Sequence, residues 1–399
     1  MAKPSQRAHA MPASPIRRLV PYADQAKARG VHVHHLNIGQ PDIATPRPMI
    51  EAYRNYDESV LAYGPSQGLP KMREAVSKYF SKLGLPVEPK HISTTVGGSE
   101  AVRFAMDAVT DPGDEVLVFE PFYANYLGFA VSSGAKVVPV PASADDGFHL
   151  PSDEAIETKI SPRTKAVIVC SPGNPTGTVY SKEEMLRLGE LAQKHDLYII
   201  SDEVYREFAY GGVEVTSALS LPCADERVIV VDSVSKRYSA CGARVGFVIT
   251  RNEPILDAIM RMCFARLCPA TVDQLAAIAA YDTPQSYFDE VVEEYTRRRD
   301  ALVDGLNAIP GVKTYRPEGA FYTVATFPVK DCDHFAQWLL TDFSHEGETV
   351  MMAPASGFYG TPGLGTDQAR IAYVLEVPAL QASVRILKAA LQVYEGRTI

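Results

Sequence analysis

The residues around Lys236 suit a chemical role for this lysine. It stands in S-V-S-K-R-Y-S-A-C-G-A-R, where small and hydroxyl-bearing residues are crowded around it. A lysine amine is a nucleophile when it is unprotonated, and with an aldehyde it forms a stable but exchangeable imine. A lysine taken alone is most often a charged surface residue. This context instead favours a lysine that holds an aldehyde.

Four other residues could hold an aromatic ring that carries such an aldehyde. Asp202 follows Y-I-I-S, and a carboxylate at the end of a buried strand needs a cation or several hydrogen bonds. A pyridinium nitrogen would be that cation, and its protonated ring would accept electrons from a carbanion. Asn174 and Tyr205 could donate hydrogen bonds to a ring oxygen, and Tyr123 could stack on the ring. The alternatives are a helix N-cap for Asp202, a turn residue for Asn174 and a core aromatic for Tyr123.

Further residues indicate anion binding. The G-G-S segment 97–99 begins a predicted helix, where free N–H groups can bind a phosphate. Ser233, Ser235 and Arg244 would complete a phosphate cup, in which the arginine makes bidentate hydrogen bonds. Arg370 lies in the apolar segment A-R-I-A-Y-V and needs an anion, either a substrate carboxylate or an acidic residue of the chain.

The hydrophobic pattern predicts the elements that would position these residues. Strand and helix signals alternate, which implies a mostly parallel sheet covered by helices on both faces. Ligands of such sheets bind beyond the carboxyl ends of the strands, where Asn174, Asp202 and Lys236 are all expected. The predicted strands are 115–119, 136–140, 165–170, 197–201, 228–232 and 243–250, and the predicted helices are 99–109 and 181–195, the second with a capping box of Ser181 and Glu184.

The pattern changes near residue 285, after which a smaller α/β domain is expected. Its predicted elements are a charged helix over 286–308, strands over 321–326, 349–352 and 370–374, and a closing helix over 378–394. Residues 1–13, rich in Ala, Pro and Ser, are predicted to be disordered, and residues 15–29 to form a helical arm. The predicted division is an arm and part of the small domain over 1–45, a large domain over 46–285 and a small domain over 286–399.

Composition argues against several classes of function. A net charge of −9 and a pI of about 5.6 disfavour nucleic-acid binding. No apolar run approaches the roughly 18 residues that span a membrane, and no secretory signal is expected. The six cysteines form no C-x-x-C pair and are expected to be reduced thiols of a cytoplasmic protein. His32 and His34 would share a face of an extended segment, but no third ligand is apparent, so no metal site is expected.

Eight segments, in order along the chain, resemble the class I and II aminotransferases of fold type I. They are L-N-I-G-Q-P-D (36–42), A-Y-G-P-S-Q-G (62–68), V-G-G-S-E-A (96–101), S-P-G-N-P-T-G (171–177), S-D-E-V-Y (201–205), S-V-S-K (233–236), A-R-V-G (243–246) and A-R-I-A (369–372). The resemblance covers about residues 30–395. It implies an α/β fold with a mostly parallel seven-stranded sheet in the large domain, the cofactor pyridoxal 5′-phosphate, and a homodimer with shared active sites.

The same resemblance assigns roles to individual residues. Lys236 is similar to the lysine that forms the internal aldimine and shuttles the proton, and Asp202 is similar to the partner of the pyridinium nitrogen. Asn174 and Tyr205 correspond to the donors to the ring oxygen, and Tyr123 corresponds to the stacked aromatic. The phosphate positions are Gly98, Ser99, Ser233, Ser235 and Arg244, joined by Tyr63 from the other subunit, and the positions for the substrate carboxylate are Gly39, Asn174 and Arg370.

The implied function is ping-pong transfer of an amino group from an L-amino acid to a 2-oxo acid, with 2-oxoglutarate as the expected acceptor. Some aspartate-specific relatives have a lysine after the glycine pair, where this sequence has Ser99, so an acidic substrate does not follow from the resemblance. Arg103, one helical turn later, is the alternative contact for a distal carboxylate. The rival functions are a β-eliminating lyase that uses the same site and a non-catalytic ligand-binding regulator.

Overall fold

The strands form three sheets in the computed structural model, which describes residues 2–398. They are β1 (His32–His35), β2 (Ile92–Val96), β3 (Glu115–Glu120), β4 (Lys136–Pro141), β5 (Thr164–Cys170), β6 (Tyr198–Asp202), β7 (Val228–Ser233), β8 (Val245–Ile249), β9 (Lys313–Thr314), β10 (Tyr322–Thr326), β11 (Glu348–Met351), β12 (Ala353–Pro354) and β13 (Gln368–Ala372).

The α-helices alternate with these strands through the middle of the chain. They are α1 (Gln6–His9), α2 (Val20–Ala28), α3 (Arg47–Arg54), α4 (Pro70–Lys82), α5 (Gly97–Val109), α6 (Asn125–Ser133), α7 (Asp153–Glu157), α8 (Lys182–Lys194), α9 (Ala224–Arg227), α10 (Val234–Arg237), α11 (Glu253–Arg266), α12 (Thr271–Ala280), α13 (Gln285–Asn307), α14 (Cys332–Thr341) and α15 (Val377–Val393). The predicted capping box at the start of α8 is confirmed, because Ser181 and Glu184 exchange side-chain and backbone hydrogen bonds.

The largest sheet has seven strands in the order β2-β8-β7-β6-β5-β3-β4. Strands β7, β6, β5, β3 and β4 pair in parallel, whereas β8 runs antiparallel to both β7 and β2. The predicted mostly parallel α/β sheet is therefore confirmed. Strand β2 was missing from the prediction, because its sequence I-S-T-T-V contains three hydroxyl residues that are fully buried here.

Both faces of this sheet are covered, as the continuous apolar strands predict. In β7, Val228 and Val230 belong to one hydrophobic cluster, and Ile229 and Val231 belong to the cluster on the opposite face. This alternation follows from the two-residue period of a strand. Each such side chain contributes roughly 1.5–3 kcal/mol on burial. The two clusters fix the sheet between helical layers and so fix the ends of its strands.

The smaller sheets bring the two ends of the chain together. Strands β12, β13, β10 and β9 form an antiparallel sheet in that order, and β1 pairs in parallel with β11. Residues 32–35 are thereby joined to residues 348–351. The division into an arm with part of the small domain over 1–45, a large domain over 46–285 and a small domain over 286–399 stays a prediction.

The N-terminal segment differs from the sequence-based expectation. Residues Gln6–His9 form the short helix α1, whose N-cap Ser5 accepts a hydrogen bond from the Ala8 amide, within the segment 1–13 that was predicted to be disordered. Met1 lies outside the described residues. The predicted helix over 15–29 begins only at Val20, with Pro21 in its first turn, a position that suits a residue without an N–H. No helix within residues 2–398 has the length and apolar character needed to cross a membrane.

Candidate active site

The residues singled out for chemistry meet in one cleft at the carboxyl ends of β5, β6 and β7. The cleft has a volume of about 970 Å³ and lies between the seven-stranded sheet and the segments that carry β1, β10 and β13. The predicted site residues that line it are Gly39, Gly98, Ser99, Tyr123, Asn174, Asp202, Tyr205, Ser233, Ser235, Lys236, Arg244 and Arg370. Tyr63 does not line the cleft; its side chain is 83% exposed.

Lys236 projects into this cleft from α10, the short helix that follows β7. Ser233 caps the helix by accepting a hydrogen bond from the Ser235 amide at 3.2 Å. The Lys236 Nζ donates to the Gly39 carbonyl oxygen at 2.8 Å and lies 3.7 Å from the Cys241 Sγ. Both hydrogen-bond contacts of Nζ within residues 2–398 are therefore to uncharged groups. The amine is therefore held by a weak neutral acceptor, which it can leave to react.

Asp202, the last residue of β6, is a buried carboxylate that forms no ion pair within 4.0 Å in the described chain. It is 6% exposed, and its Oδ2 accepts a hydrogen bond from the Tyr126 hydroxyl at 2.7 Å. Burial raises the pKa of Asp202 from 3.8 to about 6. The alternative of a helix N-cap is wrong, because residues 204–207 form turns rather than a helix. A bound cation, such as a protonated ring nitrogen, would offset the cost of burying this charge.

The raised pKa of Asp202 predicts a pH dependence for the protein freed of any cofactor. Because the folded-state pKa of Asp202 lies above the ordinary value, protonation of this carboxyl group stabilises the folded chain. This stabilisation is complete below about pH 4 and is lost as the pH rises through about 6. The loss is about 3 kcal/mol of unfolding free energy. Asp202→Asn removes this titration, so we expect the cofactor-free variant to gain about that much stability over the wild type between about pH 4 and 8. Urea unfolding at matched protein concentration measures this; a difference independent of pH would contradict it.

Tyr205 and Asn174 present hydrogen-bond donors to the same cleft. The Tyr205 hydroxyl lies 2.9 Å from the Tyr322 hydroxyl, and burial raises the pKa of Tyr205 well above its ordinary value. The phenol therefore stays protonated and able to donate. The Asn174 Oδ1 accepts a hydrogen bond from Arg370 Nη1 at 3.1 Å, which orients the amide so that its Nδ2 is the free donor.

The start of α5 and the loop before β8 present groups that could bind an anion. No side chain caps the first turn of α5, so its amide groups remain available to a phosphate. Gly97 has φ +73°, and a Cβ built there would lie 2.4 Å from Arg244 Nη2. A Cβ built on Gly98 would be 4.0 Å from the Ser233 Oγ. The two glycines are therefore adjacent to the side chains of Arg244 and Ser233. Arg244 donates to the Cys241 carbonyl and forms no ion pair in the described chain.

Arg370 is the second buried charge of the cleft. It is 1% exposed; its Nη2 donates to the Asn37 carbonyl, and its Nε has no partner among residues 2–398. The guanidinium stacks on the rings of Tyr322 and Phe358, at 4.5 and 5.0 Å from their centroids. Burial lowers the pKa of Arg370. The alternative of an internal salt bridge is wrong, since no described carboxylate lies within 4.0 Å, and an external anion is the partner that fits.

Two tyrosines of the site were missed by sequence reasoning. Tyr126 donates to Asp202, and Tyr322 joins Tyr205, Gly39 and Arg370. A Cβ built on Gly39 would lie 1.8 Å from the Tyr322 hydroxyl, so only glycine fits there. The glycine in L-N-I-G-Q-P-D indicates that another group packs closely against the backbone there. Nothing in the neighbouring sequence identifies that group as Tyr322.

Tyr123 also lines the cleft. Its hydroxyl accepts a hydrogen bond from Asn125 at 2.7 Å, and its ring lies edge to face with Tyr126 at 5.5 Å. Burial raises the pKa of Tyr123 to about 12. The alternative of a purely core aromatic is therefore wrong in part, because Tyr123 packs against a core cluster and also borders the cleft.

Arg103 does not reach the cleft, which corrects the expectation that it could contact a distal carboxylate. Its Nε is paired with the Asp107 Oδ2 at 2.6 Å, one turn along α5. Arg17 and Lys27, both from the N-terminal segment, also line the cleft. Sequence reasoning assigned that segment to an arm and missed its place in the cleft, because its contacts depend on distant residues.

The reason given for expecting no metal beside His32 and His34 is also wrong. The parallel pairing of β1 with β11 places Glu348 opposite His32, and Glu348 Oε2 lies 3.2 Å from His34 Nε2. A third potential ligand is therefore present, although it is 314 residues away from His34 in the sequence.

Comparison with known proteins identifies the family. A family model described as aminotransferase class I and II matches residues 31–364. The chain is 32% identical to the aspartate aminotransferase of Geobacillus stearothermophilus over 91% of this chain and 92% of the relative. It is 35% identical to the aspartate/prephenate aminotransferase of Thermus thermophilus, over 80% of this chain and 83% of the relative.

Solved structures agree with this result. The aspartate aminotransferase from Thermus thermophilus with maleate superposes with a TM-score of 0.88 at 31% identity, covering 98% of this chain and 100% of that one. An alanine aminotransferase from Pyrococcus furiosus has the same TM-score at 31% identity, covering 97% and 99%. The chain therefore belongs to the class I and II aminotransferase family and is a pyridoxal-phosphate-dependent aminotransferase of fold type I.

Proposed function

We propose that this enzyme transfers the amino group of an L-amino acid to 2-oxoglutarate by a ping-pong reaction in which Lys236 is the catalytic amine. The observation that carries the proposal is a pair of buried, unbalanced charges in the Lys236 cleft. Within the described chain, neither Asp202 nor Arg370 has an oppositely charged group within 4.0 Å; Asp202 accepts from Tyr126, and the Arg370 Nε has no partner. A protonated pyridine ring and a substrate carboxylate are the two partners that would balance them.

The residues of the cleft fit pyridoxal 5′-phosphate. Asp202 would pair with the ring nitrogen, Asn174 and Tyr205 would donate to the ring oxygen, and Tyr123 would pack on the ring. The open start of α5 would bind the phosphate, together with Ser99, Ser233, Ser235 and Arg244. When bound, the cofactor supplies an electrophilic carbon and an electron sink.

Lys236 would then act as both base and acid. When not bonded to another group, Nζ would be placed to remove the α-proton of a substrate amino acid and to return a proton later, so one amine would serve first as base and then as acid. Arg370 and Asn174 would hold the substrate carboxylate, since Asn174 is already hydrogen-bonded to Arg370. The same groups serve both half-reactions, because amino acids and 2-oxo acids share the α-carboxylate.

A substrate panel tests the reaction. Each common L-amino acid is incubated with 2-oxoglutarate or with pyruvate, and the formation of glutamate or alanine is measured. We expect stoichiometric amino transfer for at least one donor. Release of ammonia and pyruvate without any acceptor would instead indicate the β-eliminating lyase, which could use the same residues.

We further propose a homodimer in which Tyr63 of one subunit reaches the phosphate of the other. The side chain of Tyr63 is exposed and stands outside the cleft of its own chain. A hydroxyl donated to a charged phosphate contributes roughly 1.5–3 kcal/mol. Tyr63→Phe should therefore weaken cofactor affinity by about ten- to a hundredfold, as measured by equilibrium binding of the cofactor.

A complementation experiment tests whether the site is shared. Tyr63→Ala and Lys236→Ala are each assayed at limiting cofactor, where each is expected to be nearly inactive, and are then mixed under conditions that exchange subunits. In a heterodimer one site carries both changes and the other carries neither. Random reassortment should restore up to about a quarter of the wild-type sites. Exchange confirmed by native mass measurement without recovered activity would show that Tyr63 does not act across an interface.

A further inference from the structure

We propose that His32, His34 and Glu348 form a binding site for a divalent transition-metal ion such as Zn²⁺, on the face of the β1–β11 ladder. One donor atom of each residue lies within 4.8 Å of the donors of the other two. None of the three lines the cleft that contains Lys236. The site is therefore separate from the transamination chemistry and does not depend on the proposed function.

The geometry of the ladder places the three side chains together. Alternate residues of a strand point to one face, so His32 and His34 share a face of β1. Glu348 is opposite His32 in the parallel register, and side chains of paired residues lie on the same face. The two imidazole rings are 4.6 Å apart between centroids and nearly perpendicular, so they do not stack face to face.

The donor types match those of zinc. Two imidazole nitrogens and one carboxylate oxygen form a common protein ligand set, with bond lengths of about 2.0–2.2 Å and a fourth position left to water. Ligand atoms around a tetrahedral ion at those bond lengths are about 3.3 Å apart. The His34 Nε2 and Glu348 Oε2 are already 3.2 Å apart, so mainly the exposed His32 ring must rotate to complete the site.

The surroundings allow an ion to enter and to be retained. His34 is 7% exposed, whereas His32 is exposed and Glu348 is half-buried, so the site is open on one side only. Arg385 of α15 is close enough to attract the Glu348 carboxylate and would compete with an ion. It forms no ion pair with Glu348 within 4.0 Å, however, so the third ligand is not already neutralised by an arginine.

An ion at this position would hold β1 against β11 next to residues 36–39, which follow β1 and border the cleft. Strand β1 continues into Leu36, whose amide donates to the Met351 carbonyl, and then into Asn37 and Gly39. The Asn37 carbonyl accepts from Arg370, and the Gly39 carbonyl accepts from Lys236. Because an ion that binds only the folded chain stabilises it, saturation should raise the unfolding temperature of the enzyme.

Isothermal titration of the metal-stripped holoenzyme with ZnCl₂ tests the site. We expect one Zn²⁺ per chain, and His32→Ala and Glu348→Gln should each weaken that binding by about tenfold or more, which corresponds to a loss of about 1.4 kcal/mol or more. The rise in unfolding temperature caused by Zn²⁺ should be lost in the same two variants. Titration with Co²⁺ adds an independent readout, since visible absorption of the bound ion reports its coordination.

The matched control is His195→Ala. The His195 Nε2 lies 2.9 Å from the Glu157 Oε1 in a comparable histidine–glutamate pair that lacks a second histidine. This variant should bind Zn²⁺ as the wild type does. Absence of stoichiometric binding, or binding that is equal in the wild type and in both His32→Ala and Glu348→Gln, would overturn the proposal. Retention of the cofactor absorbance band in each variant establishes that the chain is folded.

Discussion

Asp202→Asn is expected to lower the rate of amino transfer by several orders of magnitude while leaving the cofactor bound. The uncharged amide keeps the shape of the side chain and can still accept the hydrogen bond from Tyr126. It removes the negative charge that would hold the ring nitrogen protonated, and the ring then loses its capacity to accept electrons from the α-carbon. The remaining phosphate and ring contacts keep the cofactor in place.

Single-turnover absorbance measurements with the variant separate this effect from weak binding. The matched control is Tyr126→Phe, which removes one hydrogen bond to Asp202 but keeps the charge. A hydrogen bond to a charged group contributes about 1.5–3 kcal/mol, so the control should lose at most about a hundredfold in rate. Near-normal turnover of Asp202→Asn at full cofactor occupancy would show that the carboxylate is not the charged partner of the ring.

Lys236→Ala is expected to abolish multiple turnovers. The variant lacks both the amine that would hold the cofactor and the group that would move the α-proton, and proton transfer by a positioned side chain alone contributes about 10²–10⁴ in rate. In the wild type, borohydride reduction should attach the cofactor irreversibly to the peptide that contains Lys236, as identified by mass spectrometry.

Lys27→Ala is a suitable control because Lys27 also lines the cleft. That variant should still form the reduced adduct at Lys236. Recovery of the adduct on Lys27, or on any other lysine, would refute the assignment of Lys236.

The sequence by itself determined the sheet and most of the residues that meet at its edge. Apolar runs such as V-I-V-V predict buried strands, and strands that alternate with helices must be mostly parallel. Parallel strands place their carboxyl ends at one edge, which is why Asn174, Asp202 and Lys236 could be expected together before any contact was known. Strand β2 could not be predicted in this way because its buried hydroxyl residues do not form an apolar run.

Only the tertiary structure decided which charged groups of the cleft have partners of opposite charge and which do not. The partners of Asp202 and Arg370 include Tyr126 and Tyr322, and the third residue beside His32 and His34 is Glu348. These contacts join distant segments of the chain, and a periodic pattern reports only on neighbours within one helix or strand. Whether a buried charge has an ion-pair partner therefore depends on how separate elements pack. Among residues 2–398, packing leaves the Asp202 carboxylate and the Arg370 guanidinium facing the same cleft without an ion-pair partner.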